Sequence, residues 1–244
     1  AGLTNRCALV YIDDIFIFSN SFEKHLIDLE ELFIRLVDTK FTITLSKCHF
    51  GSRQVDYLGH TINEHGVSPD HKKINAIQQL PYPTNLTELR SFLGMINYYS
   101  QCIPNCSEIA SPLYKLTKKG VSFEMSETCC RSVDELKGKL VLAPILRHPN
   151  FNLPFIVYCD ASNTGLGVIL AQVDENEDEY VICYGSRTLS AAESKYNTTE
   201  KECLSVLFGC KLFRPYIYGT RFTVVTDHGS LTWLFRLKDP EGRL

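Results

Sequence analysis

The run "LVYIDDIFIF", residues 9–18, sets two adjacent carboxylates, Asp13 and Asp14, among apolar side chains. Like charges side by side oppose burial. Two arrangements resolve the conflict. One is a solvated turn, which favours Asp. The other is a divalent-cation site, in which carboxylates and substrate phosphates share Mg2+. A second set of acids is more dispersed. Asp160 ends the strand-like "FIVYCDAS", Glu202 lies in the helical "TEKECL", and Asp227 ends the strand-like "FTVVTDHGSL". In α/β sheets functional groups gather at the carboxyl ends of strands, so these three acids converge if the two strands are neighbours. Taken singly, a strand-end Asp is an ordinary turn former and a helical Glu an ordinary solvated residue. Leu204, Val206, Leu207 and Phe208 follow Glu202, however, so its helix is not all solvent-facing.

The elements that must carry these acids can be read from periodicity. Residues 7–18 read as two short strands meeting at Asp13 and Asp14. A helix follows, with Asn20 and Glu23 spaced as a capping box and an apolar stripe at Phe22, Leu26, Leu29, Leu32, Phe33 and Leu36. "FTITL" and "VDYLGHTI" read as strands, giving a β-α-β-β block over 1–66. In the connector, Pro69 can start a short helix that Pro81 and Pro83 end. "NLTELRSFLGMINYYSQCI" reads as a helix capped by Asn85 and Glu88, burying Leu89, Phe92, Leu93, Ile96 and Ile103. Its second face carries Arg90, Gly94, Asn97, Tyr98 and Gln101. A glycine inside a helix costs about 1 kcal/mol against Ala, so Gly94 implies close packing of another helix or close approach of a nucleic-acid backbone. "IASPLYKLTKKG" continues as a second helix, so residues 67–121 form a small helical subdomain. Beyond them a helix, a hairpin, a third strand, a long helix, a fourth strand and the start of another helix make a separate α/β domain over 122–244.

Composition bounds the function. The chain has 244 residues, 44% hydrophobic and 22% charged, and a net charge of −3. Residues 1–120 hold 12 basic and 12 acidic side chains, and five acids of the remainder sit in "DENEDE", read as a solvated loop. Overall charge therefore does not announce nucleic-acid binding, which must come from local geometry or a bound cation. No apolar run is long enough to span a membrane, and none is expected as a partner. Ten irregularly spaced cysteines form no zinc-binding pattern and read as reduced, mostly core-filling thiols of an intracellular protein. The start "AGLTNRCALV" and the end "KDPEGRL" read as cuts from something longer.

"YIDDIFIFS" resembles the catalytic hairpin of reverse transcriptases, in particular those of LTR retrotransposons related to gypsy/Ty3. "LSKCHFGSRQVDYLGHTI" resembles the family's next two strands, with "YLGH" as the primer grip, and "LPYPTNLTELRSFLGMINYYSQCIPNCSEIASPLYKLTK" resembles its thumb. "DAS…GLGVILAQ…YGSRTLSAAESKYNTTEKECLSV…FTVVTDHGSL" resembles the ribonuclease H domain of the same Pol polyproteins. The resemblance covers essentially the whole chain, with the motifs in family order. It implies an α+β protein: the C-terminal part of a polymerase palm (1–66), a thumb (67–121), and an α/β ribonuclease H-like domain (122–244) lacking its last strand and helix. It implies RNA-directed DNA polymerase activity with ribonuclease H, using two Mg2+ per active site, or Mn2+. Asp13 would be the stronger polymerase ligand and Asp14 a supporting one; Asp160, Glu202 and Asp227 would be the nuclease's catalytic acids and metal ligands. Tyr11 would pack beside the primer terminus, Tyr57, Leu58, Gly59 and His60 would hold the primer backbone, and Lys47 would lie near the nucleotide channel. Arg90, Gly94, Asn97 and Tyr98 would follow the template-primer minor groove; Thr198 and Thr199 would touch that of the hybrid. The implied partners are an RNA or DNA template-primer, an RNA–DNA hybrid, dNTPs and the remainder of the Pol polyprotein. The implied setting is a cytoplasmic particle and then the nucleus.

The pattern is incomplete. A third polymerase aspartate and a fourth nuclease acid have no counterpart in these 244 residues. Ser100, Cys102 and Cys106 stand where family thumbs carry an Arg and aromatics, and Met125 where a Trp is usual. The isolated segment is therefore expected to be poorly active or inactive. The alternative is a nucleic-acid-binding or structural remnant of a degenerate element.

Overall fold

The computed structural model describes residues 2–4 and 6–234, and the chain divides into two compact units, residues 1–58 with 62–64 and residues 59–61 with 65–244. In the first unit β1 (Ala8–Tyr11) and β2 (Asp14–Ile17) pair antiparallel with Tyr11 opposite Asp14. Ile12, in the turn, has φ +51°, a steric outlier for a β-branched residue. Helix α1 (Phe22–Asp38) starts one residue later than the expected box allows: Ser21 is its cap, and the Ser21 hydroxyl accepts the Lys24 N–H at 3.2 Å. The apolar stripe forms as periodicity predicts, yet Phe22, Leu26 and Phe33 are exposed. The helix residue that is buried is Asp28, which accepts from Ser19 Oγ at 2.7 Å and Lys24 Nζ at 2.8 Å.

"FTITL" forms no strand. It runs exposed into a 3-10 turn at Leu45–Lys47, because β propensity without a strand to pair with satisfies no backbone group. The expected "VDYLGHTI" strand is instead two, β3 (Gln54–Tyr57) and β4 (His60–Asn63), around a turn with Leu58 at φ +49° and Gly59 at φ +73°. Two consecutive positive φ values are those of a tight hairpin turn, easy for Gly and strained for Leu. The boundary between the units runs through this turn and β4. The buried cluster of the first unit is small: Leu3, Cys7 and Ala8, with Ile17 and Leu32 against them.

In the second unit β5 (Gly66–Pro69) ends on the proline that was expected to start a helix. Helix α2 (His71–Gln78) is opened instead by Asp70, which accepts the Lys72 N–H at 2.8 Å. Helix α3 (Leu86–Tyr98) has the expected cap, with Asn85 Oδ1 accepting the Glu88 N–H at 2.9 Å. It buries Leu89, Phe92, Leu93 and Ile96, and Ile103 is buried beyond a 3-10 turn at Ser100–Cys102. Helices α4 (Cys106–Ile109), α5 (Ser111–Leu116) and α6 (Glu127–Val141) pack around Ile103, Leu113, Val133 and Leu136. Cys102 and Cys106 are part of this buried layer, and burial pushes both thiols up to about 11.

There follow β6 (Phe155–Ala161), β7 (Gly165–Val173), β8 (Glu179–Thr188), α7 (Thr198–Leu212), α8 (Arg214–Ile217), β9 (Phe222–Val225) and α9 (Gly229–Leu234). The helix expected over "LTWLFRLK" is described as far as Leu234, and its remainder lies outside the described residues. The sheet order is β8-β7-β6-β9, antiparallel except for the parallel β6–β9 pair. Its core is built from Phe155, Val157, Leu170, Val206 and Phe213. Edge strand β8 meets α4, where the Ser107 N–H donates to Ser186 Oγ at 2.9 Å. The "DENEDE" loop is exposed from Glu175 to Glu179, as expected of a solvated loop; half-buried Asp174 pairs with Arg147 at 2.8 Å, and exposed Glu179 accepts from the Tyr158 hydroxyl at 2.6 Å. All ten cysteines are free thiols. Among the described residues no helix is long and apolar enough to cross a membrane.

Candidate metal centre and nucleic-acid face

Strand register brings the dispersed acids together. In the parallel β6–β9 pair Tyr158 lies opposite Val225. Asp160 and Asp227 each stand two residues further on, so they leave neighbouring strand ends at the same level and on the same face, strands being ~4.8 Å apart. Helix α7 supplies the third acid. Glu202, Ser205 and Gly209 share its buried face. A Cβ at Gly209 would lie 3.1 Å from Val157, 3.2 Å from Val168 and 3.3 Å from Cys159, so glycine lets the helix seat closely on β6 and β7. The result is a group of carboxylate oxygens from Asp160, Glu202 and Asp227 all within 4.8 Å of one another. Glu202 is 4% exposed and its Oε2 has no hydrogen-bond partner. Burial first, then the charges of Asp160 and Asp227, push its carboxyl up; His228 and the Ala161 N–H pull the other way. An orphaned, buried carboxylate oxygen facing two more carboxylates suits a hard cation with oxygen ligands such as Mg2+ or Mn2+.

The surroundings fix this geometry. Asn197 and Glu200 form a reciprocal capping box at the start of α7. The preceding loop is held by Arg187, both of whose terminal nitrogens donate to Glu193 at 2.9 Å. Thr199 Oγ1 lies 2.9 Å from His228 Nε2, joining the first turn of α7 to the residue after Asp227. Lys201 Nζ donates to Asn163 Oδ1, 3.3 Å away in the β6–β7 turn. Of the two threonines expected at the hybrid, Thr198 is exposed and Thr199 is engaged by His228. Sequence reasoning missed Asn163, Lys201 and His228; the signal was a basic residue directly beside a candidate ligand, Lys201 before Glu202 and His228 after Asp227.

Asp13 and Asp14 are both exposed at the β1–β2 turn, as is Tyr11. Tyr57 stacks on Phe16 with ring centroids 5.3 Å apart, and burial, then the charge of Asp14, raises its hydroxyl pKa. In the second unit the His60 ring lies 5.3 Å from both Tyr98 and Tyr99, and the Tyr99 hydroxyl donates to the Gly59 carbonyl at 3.0 Å. Thus Gly59 and His60 are joined to the end of α3. On that helix Arg90, Gly94, Asn97 and Tyr98 form an exposed face, which exposed Gln101 continues in the 3-10 turn beyond it. A Cβ at Gly94 would meet nothing within 4 Å, so tight helix packing does not account for this glycine.

Residues 2–62 match the family described as reverse transcriptase (RNA-dependent DNA polymerase), and residues 125–224 that described as RNase H-like domain found in reverse transcriptase. The chain is 37% identical, over 99% of its length, to the retrovirus-related Pol polyprotein from transposon 297 of Drosophila melanogaster. It belongs to the reverse transcriptase and ribonuclease H region of retrotransposon Pol polyproteins. The transposon Tf2-3 polyprotein of Schizosaccharomyces pombe is 33% identical over 91% of this Pol segment. The segment spans 22% of the Drosophila polyprotein and 17% of the yeast one. Among solved structures, a foamy viral protease-reverse transcriptase dRH in complex with ds DNA is 26% identical, with TM-score 0.82, over 97% of this chain and 42% of that one. A foamy viral protease-reverse transcriptase in complex with RNA/DNA hybrid aligns with TM-score 0.77 at 25% identity, over 96% of this chain and 34% of that one.

Proposed function

We propose that the Asp160–Glu202–Asp227 centre hydrolyses the RNA strand of RNA–DNA hybrids, and that Asp13 and Asp14 supply part of the carboxylate set of an RNA-directed DNA polymerase. The observation that carries the nuclease reading is the buried, unpartnered Oε2 of Glu202 at the meeting point of three carboxylates. Mg2+ or Mn2+, when bound, supplies Lewis acidity and a water of lowered pKa. The chain's own part is to hold three oxygen donors in place before the cation arrives. Asp160 and Asp227 are anchored by parallel strand register, and Glu202 by the close seat of α7. In this reading the Thr198 hydroxyl, which is exposed, meets a ribose 2′-hydroxyl of the hybrid. The open face of α3 beside His60 suits a template-primer groove, since it offers an arginine, an amide, an aromatic and a gap at Gly94.

In this reading residues 1–66 are palm, 67–121 thumb and 122–244 nuclease, acting on template-primer, dNTPs and hybrid within the larger Pol polyprotein. The setting is intracellular, as the free cysteines fit. The exposed apolar side of α1 and the lone two-stranded hairpin favour a companion statement. Such a hairpin is marginal by itself, so the polymerase centre needs further Pol chain to cover it and to complete its acids. The segment alone binds nucleic acid better than it polymerises. The test is hybrid cleavage by Pol polyprotein carrying Asp160→Asn: loss of RNA cleavage is expected, and cleavage equal to the native protein would sink the nuclease reading.

A further inference from the structure

Lys201 is 8% exposed, and a lysine is almost never buried to that degree without a partner. Its partner is neither Asp160 nor Asp227 but a neutral amide, Asn163 Oδ1 at 3.3 Å. Asn163 is exposed in the β6–β7 turn, as is Thr164 after it, and lies three positions after Asp160. That turn is stiff. Ser162 Oγ accepts the N–H groups of Thr164 at 3.2 Å and Gly165 at 3.0 Å, and the Ser162 N–H donates to the Gly165 carbonyl at 2.9 Å. The next residue of α7, Glu202, takes the N–H of Ala161 at the near end of the same turn. Two consecutive helix residues thus grip the segment that leaves Asp160, one at each end.

We propose that Lys201 and Asn163 form a positioning pair that sets the separation of Asp160 from Glu202 and thereby the affinity of the centre for a divalent cation. The inference rests on the metal-centre reading above. Lys201 donates no ligand atom. It fixes the turn to the helix, so that the Asp160 carboxylate is held at the level of Glu202 Oε2 and does not move with an exposed loop. Hydrogen-bond partners that orient metal-bound groups contribute about 10–100-fold in affinity, and a pair that acts as a unit is non-additive when both members are removed.

The experiment is Mn2+ titration of the full 244-residue chain followed by electron paramagnetic resonance, with melting temperature recorded for each variant. Native chain should bind, and Asp160→Asn should lose the site; without that difference the metal-centre reading fails, and this inference with it. Given that difference, Lys201→Met and Asn163→Leu should each weaken Mn2+ by about tenfold at the lower bound for such partners. The double variant should be no weaker than either single one. Asn163→Asp, which keeps the acceptor, should hold native affinity. Because Asn163 is exposed, Asn163→Leu decides the matter should Lys201→Met fail to fold. Folded variants that bind Mn2+ as the native chain does, or that weaken it additively, would overturn the pairing while leaving the metal centre standing.

Discussion

Around Asp160 each neighbouring element is buried on one side: β6 and β7 share a core with α7, and a glycine lets that helix seat closely. Around Asp13 the hairpin's two strands pair only with each other, apolar residues are exposed at Val10, Tyr11 and Ile12, and half of the α1 stripe, Phe22, Leu26 and Phe33, is exposed. In the proposed function both regions carry the acids of a metal-dependent reaction. The contrast shows that carboxylates repelling one another are held together only where packing outweighs the repulsion. In the ribonuclease H-like region sheet register and helix seating do so, and Glu202 Oε2 is left buried without a hydrogen-bond partner. In the polymerase hairpin nothing among the described residues forces Asp13 and Asp14 inward, and they stay in water.

The largest expected break in this contrast is mechanical. Leu170→Ala, in the sheet core, should cost about 2–5 kcal/mol, whereas Leu26→Ala on the exposed side of α1 should stay within about 0.5 kcal/mol. Urea denaturation of the two variants measures this, and equal losses would show that the α1 side is packed after all. A smaller effect, of opposite sign, belongs to Glu202. Its folded pKa is raised, so its charged form disfavours folding above that pKa, and the penalty fades as pH falls below it. Glu202→Gln should therefore raise the melting temperature at neutral pH without divalent cations, by about 2–4 °C per kcal/mol relieved. Added Mn2+ should reverse the order, since only the native chain gains from it; a variant less stable than native without metal would contradict the picture. Next, Asn197→Ala removes the capping box of α7 and should cost about 1 kcal/mol in thermal or chemical denaturation. The smallest effect concerns acid. Glu193 is drawn down to about 2, first by the Arg187 hydrogen bonds and then by the Ser190 N–H. Its contribution is full above the ordinary glutamate range and is lost as pH falls through about 2. Glu193→Gln should flatten this part of the acid-denaturation curve, and an unchanged curve would show the pair contributes nothing.

Much of the nuclease region was legible in the sequence because its signals are local. Apolar runs broken by polar turns gave β6 to β9 in order, and strand ends marked Asp160 and Asp227. The spacing of Asn85 and Glu88 gave the α3 cap. What escaped depends on tertiary facts. The stripe on α1 is a true amphipathic period, but a period does not say which chain will cover it. "FTITL" has the composition of a strand and no partner to pair with. The strained φ angles at Ile12 and Leu58 are invisible in residues whose types argue against them. The links Lys201–Asn163 and Thr199–His228 join residues 38 and 29 positions apart in sequence, and no periodicity connects them.

The central claim is that this chain carries two separable carboxylate centres, one for each chemistry. Its most direct test assays Pol polyprotein carrying either Asp13→Asn or Glu202→Gln for primer extension and for cleavage of the RNA strand in an RNA–DNA hybrid. The expected result is a double dissociation: Asp13→Asn abolishes extension and spares cleavage, while Glu202→Gln abolishes cleavage and spares extension. Hybrid cleavage that survives Glu202→Gln at the native rate would contradict it.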